Sequence, residues 1–151
     1  MPSRIIMLWN IWPKKKPRLL YISYGETDDF AHDGRYDQYL KSAHQTDSFI
    51  KELWELVNSD PSYAGNTSLL ITTDHGRGTI PKNSWKGHGT SIDGADEIWI
   101  AAIGPGINSM GESKISKQHY QNQIASTVTY LLGLSYKNKK EVGSVIDQIV
   151  K

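Results

Sequence analysis

The chain has 151 residues, of which 38% are apolar and 22% charged, a globular composition long enough to bury a core within one ordinary domain. Seventeen Lys and Arg against sixteen Asp and Glu leave a formal charge of +1, so no global basic field exists for nucleic acid or an anionic membrane, and no nucleic-acid partner is expected. Cysteine is absent, which excludes disulfides, thiolate metal sites and cysteine nucleophiles; no stretch approaches the roughly 18 apolar residues of a membrane span. Localisation stays open.

Residues 1–16 read as a poorly matched lead-in. The apolar stretch 5–12 is short, is interrupted by Asn10, and runs into Pro13 and three lysines without a small-residue cleavage site. After Pro17, the run 19–24 (LLYISY) is apolar and aromatic and stops at Gly25, which predicts a buried strand. From 36 to 57, apolar residues recur at helical spacing (Tyr36, Leu40, Ala43, Phe49, Ile50, Leu53, Trp54, Val57) before the turn-rich Asn58-Ser59-Asp60-Pro61. That pattern predicts a long amphipathic helix.

The run 67–73 (TSLLITT) predicts a second strand, followed at once by Asp74-His75-Gly76; 97–103 (EIWIAAI) predicts a third, ending in Gly104-Pro105-Gly106. Helical spacing returns over 118–132, with Gly133 where a C′ residue is wanted. Continuously apolar strands alternating with helices imply an α/β fold with a mostly parallel sheet flanked by helices.

In such sheets, ligands bind beyond the carboxyl ends of the strands. The first strand delivers Asp28, Asp29 and His32 there, the second Asp74 and His75, and His88 stands between Gly87 and Gly89 ahead of the third. Asp28 and His32 are four residues apart, so one helical turn or a compact loop aims both at one point. Gly76 permits unusual backbone angles and close approach beside His75. Carboxylate and imidazole donors together suit Zn²⁺ or Mn²⁺. Taken singly, each of these residues is equally at home capping a helix or closing a turn.

The order Asp-x-x-x-His at 28 and 32, Asp-His-Gly at 74–76 and a Gly-flanked His88 before Gly-x-Gly resembles the metal-binding half of the alkaline phosphatase superfamily. That group includes cofactor-independent phosphoglycerate mutases, nucleotide pyrophosphatase/phosphodiesterases and sulfatases. The likeness spans residues 17–133 and is closest in wording at YISYGETDDFAH, LLITTDHGRG and QNQIASTVTYLLG. It implies two divalent ions, Zn or Mn, in a complete enzyme acting on a phosphate- or sulfate-ester small molecule. Asp28, His32 and His88 would hold one ion, and Asp74 and His75 would contribute to the second. Arg77 reads as an exposed loop cation, with a phosphate fork as the alternative, and Asp29 as an acceptor behind a ligating histidine. His44 belongs to the long helix, His119 to the solvated first turn of the later one, and Phe49, Trp54 and Trp99 to the core.

Relatives of this kind carry an earlier segment with another Asp ligand and a Ser or Thr nucleophile. No such Asp precedes residue 17, and Ser3 is the one early hydroxyl. The expectation is therefore that residues 17–151 form the carboxyl-terminal part of an alkaline-phosphatase-like catalytic domain whose amino-terminal half is missing, with no catalytic nucleophile on this chain. The alternative is a non-catalytic module that binds metal or another chain.

Overall fold

The computed structural model describes residues 14–151, so the expectation for the apolar stretch 5–12 lies outside the described residues. Helix α1 (Glu26–His32) starts after Gly25 with Glu26, Asp28 and Asp29 in its first turn and His32 in its last. Carboxylates at the amino end and an imidazole at the carboxyl end both complement the helix dipole. Gly34, at φ +70°, closes α1: its N–H donates to Ala31 O at 2.9 Å, and Arg35 N–H donates to Phe30 O at 2.9 Å. This is the paired closure that a left-handed C′ glycine permits.

Helix α2 (Tyr36–Ser59) follows directly. Its 24 residues extend for about 36 Å at 1.5 Å per residue. It covers the predicted span, but the apolar stripe is only partly covered: Tyr36 and Leu40 are exposed, whereas Ser42 and Val57 are buried. Ser42 satisfies its hydroxyl by donating to Tyr39 O at 2.9 Å. Phe49 stacks on Tyr24 at 6.2 Å between ring centroids, and burial raises the Tyr24 phenol above its ordinary pKa, with Glu26 adding to the effect.

The chain divides into two compact units, Met1–Leu56 and Val57–Lys151. In the first, the segment 19–24 is not a strand. Its residues alternate exposed and half-buried, with Leu19 and Tyr21 both exposed, and no ladder joins it to another of the described residues. Apolar, β-branched composition supplies strand propensity, but a strand exists only when a neighbour accepts its hydrogen bonds.

The second unit contains β1 (Leu69–Thr72) and β2 (Ile100–Ile103), paired antiparallel with Leu69 opposite Ile103 and Thr72 opposite Ile100. The mostly parallel sheet expected from the sequence is corrected here: the described sheet has two strands, and they run in opposite directions. The connection between them holds a 3-10 turn (Lys82–Lys86) and loops, with no crossover helix to return the chain for parallel pairing. The exposure of β2 alternates residue by residue, as expected of an antiparallel pair wetted on one face, and Trp99 beside it is exposed rather than packed in the core.

A short 3-10 turn (Gln121–Gln123) leads into α3 (Ile124–Leu131), shorter than the predicted span. Gly133, at φ +71°, is its C′ residue, with Gly133 N–H donating to Tyr130 O and Leu134 N–H to Thr129 O. The fully buried Thr127 of α3 donates to Gln123 O at 2.8 Å and accepts from Ile146 N–H at 3.0 Å. That pairing anchors the carboxyl-terminal segment. Asn108 continues the anchor through its side-chain amide, which donates to Gln148 O and Val150 O, and Ile107 pairs with Val150.

Candidate metal centre

In the first unit, α1 sets Asp28 and His32 on one face, one turn apart. His32 Nε2 lies 3.2 Å from Asp28 Oδ1, and both side chains are partly open to solvent. Asp29 on the same helix is exposed. His44 is exposed on α2, as its place in that helix implied.

In the second unit, Asp74 and His75 leave the end of β1 together. His75 Nε2 is 3.7 Å from Asp74 Oδ1, with the imidazole largely buried and the carboxylate 87% exposed. His75 Nδ1 lies 2.9 Å from Gly76 O. A carbonyl oxygen only accepts, so Nδ1 carries a proton and the ring turns Nε2 toward the Asp74 carboxylate. Two potential ligand atoms then stand 3.7 Å apart. Tetrahedral ligands about 2.1 Å from a zinc ion stand about 3.4 Å apart, and the Asp28–His32 and Asp74–His75 separations bracket that value. The backbone carbonyl on the far ring nitrogen is the usual device for orienting a ligating histidine.

His88 reaches the same place from a different loop. Its ring stacks on His75 at 3.6 Å between centroids, with 9° between planes. The loop that achieves this is folded on close backbone approach. Gly78 N–H donates to Gly87 O at 3.2 Å and Gly76 N–H to Ala95 O at 2.8 Å. A Cβ on Gly76 would lie 2.3 Å from Gly94 O, and one on Gly78 would lie 2.4 Å from Ser84 O. Gly76 is thus required by lack of room; its own φ is ordinary. Arg77 is not the exposed cation expected: it is half-buried, and its guanidinium donates to Lys86 O at 3.3 Å, holding this loop.

His119 also departs from expectation. It precedes the 3-10 turn rather than opening a helix, it is half-buried, and its Nε2 lies 2.8 Å from Gln148 Oε1. With Asp74, His75 and Asp96 it lines an open cleft of about 460 Å³ within the second unit. Sequence spacing could not find this pairing, because 29 residues separate His119 from Gln148 and neither belongs to a periodic element.

A family model described as Metalloenzyme superfamily matches residues 6–136. No curated protein matches the chain significantly, and neither does any solved structure. No helix among the described residues is long and apolar enough to cross a membrane.

Proposed function

Because the chain belongs to the Metalloenzyme superfamily, within the alkaline-phosphatase-like group, we propose that it carries the ion-binding residues of a phosphoryl- or sulfuryl-transfer enzyme. Asp28, His32 and His88 hold one divalent ion, Zn²⁺ or Mn²⁺, and Asp74 and His75 contribute to a second. The observation that carries this reading is the orientation of His75. Its Nδ1 lies against Gly76 O, which turns Nε2 toward Asp74 Oδ1 at 3.7 Å, a separation that fits two ligands of one cation.

Bound ions of this kind supply Lewis acidity toward phosphoryl oxygens and lower the pKa of a coordinated hydroxyl or water. The residues of the chain do the positioning. The α1 backbone fixes the Asp28–His32 spacing, the Gly76–Ala95 bond fixes the exit from β1, and the Gly78–Gly87 bond sets His88 against His75. The substrate is a small phosphate or sulfate ester. No residue of this chain is assigned as nucleophile.

Elemental analysis tests the reading. The purified chain is expected to retain divalent Zn or Mn after dialysis and to lose it in His88→Ala; unchanged metal content in that variant contradicts the assignment. Hydrolysis of p-nitrophenyl phosphate by the chain alone is expected to be poor, and robust turnover contradicts the missing nucleophile.

A further inference from the structure

Past the last pair of the β ladder, Thr72 opposite Ile100, the chain runs through Thr73, Asp74 and His75 before Gly76 N–H is tied to Ala95 O at 2.8 Å. Asp74 and His75 thus stand in a short interval between two backbone anchors. Asp74 has the greater need of support there, because its carboxylate is 87% exposed. A side chain that solvent surrounds has no packing to fix its aim, so the backbone beneath it must.

Gln121 supplies that support. Its Nε2 donates to Asp74 O at 3.0 Å and reaches Thr73 O at 3.5 Å. Carbonyl oxygens only accept, so the amide presents its N–H₂ to this edge, two donors against two successive carbonyls. Although 47 residues separate Gln121 from Asp74, both line the same cleft of the second unit together with His75.

The brace also has a fixed base. Gln121 opens the 3-10 turn Gln121–Gln123, and Gln123 locks that turn with both ends of its side-chain amide. Its Oε1 accepts from Tyr120 N–H at 2.9 Å, and its Nε2 donates to Ser144 O at 3.1 Å. Before the turn, His119 Nε2 lies 2.8 Å from Gln148 Oε1; after it, Thr127 accepts from Ile146 N–H. The segment 144–148 therefore holds the turn from both sides, and the turn holds the exit of β1. Only a support that is itself held can set a ligand's position.

We propose that Gln121 is a positioning residue for the second ion, acting through the main chain of Thr73 and Asp74 to keep Asp74 and His75 aimed at one point. The inference rests on the reading of Asp74 and His75 as ligands of that ion and extends it to a residue that is not itself a ligand.

Metal-free full-length chain is titrated with ZnCl₂ while the histidine ring nitrogens are followed by NMR, in the parent, in Gln121→Met and in Gln118→Met. Methionine matches glutamine in length and removes the donor. Gln118 is the control: it lines the same cleft, but its amide donates to the adjacent His119 O and not to β1. In Gln121→Met, the zinc concentration for half-response at His75 is expected to rise about three- to tenfold, the effect of one hydrogen bond. His32, a proposed ligand of the first ion, is expected to respond as in the parent, and Gln118→Met is expected to match the parent at both histidines. A merely structural role would weaken His32 and His75 alike. An unchanged His75 half-response in Gln121→Met, an equal weakening at His32, or an equal weakening in Gln118→Met overturns the inference and leaves the metal reading standing. A parent whose His75 never responds to zinc overturns both.

Discussion

Gly76→Ala is the sharpest perturbation of the loop that carries both second-unit histidines. The added methyl would stand 2.3 Å from Gly94 O and 2.4 Å from Glu97 O. Both are backbone atoms, so no side-chain rotation relieves the clash. The Gly76 N–H to Ala95 O bond of 2.8 Å must lengthen as the strands of the loop separate. Overpacking of this kind costs about 1–3 kcal/mol. At about 2–4 °C per kcal/mol for a chain of this size, Tm falls by roughly 2–12 °C. His75 is the preceding residue and stacks on His88, so metal retention falls with stability. The control is Gly89→Ala, beside His88, where the methyl meets only the Ile92 side chain at 3.8 Å, an ordinary contact; its stability is expected within about 0.5 kcal/mol of the parent's. Circular dichroism melts and elemental analysis of both variants make the comparison. A Gly76→Ala Tm within 1 °C of the parent, roughly the error of a melt, refutes the close-approach argument.

Two further predictions concern the carboxyl-terminal segment. Thr127→Val keeps shape but strips the hydroxyl that Ile146 N–H relies on; a buried donor left unpaired costs about 1–3 kcal/mol, so urea unfolding should show that loss, and an unchanged midpoint would contradict it. Asp147 is held below its ordinary carboxyl pKa first by the hydrogen bond and then by the charge of Lys117, 2.7 Å away. A depressed folded pKa stabilises above the unfolded value and ceases to do so as pH falls through the folded one. Asp147→Asn should therefore be less stable than the parent at neutral pH, with the gap closing in acid below the usual carboxylate range; a gap that persists there would exclude this ion pair as its source.

Local patterns were legible where one element satisfied them. The 36–57 periodicity found α2, and Gly133 was read as a C′ residue because that position asks only for a left-handed backbone. The spacing of Asp28 and His32 left one helical turn or a compact loop open, and α1 is the helical turn. Strand direction was not legible: apolar runs at 67–73 and 97–103 record burial, and only the path between them, here without a crossover helix, decides pairing. The run 19–24 shows the same limit, since its propensity says nothing about a partner for its backbone. His119 and Arg77 were misplaced because their partners, Gln148 and Lys86 O, are tertiary and leave no periodic trace.

The most direct measurement is an anomalous-difference map from crystals of the chain grown with ZnCl₂. The account predicts a zinc peak bonded to Asp28, His32 and His88 at about 2.0–2.2 Å, with Asp74 and His75 engaging a second ion at lower occupancy. Zinc found only on other side chains, or no peak at all at these five, would contradict it.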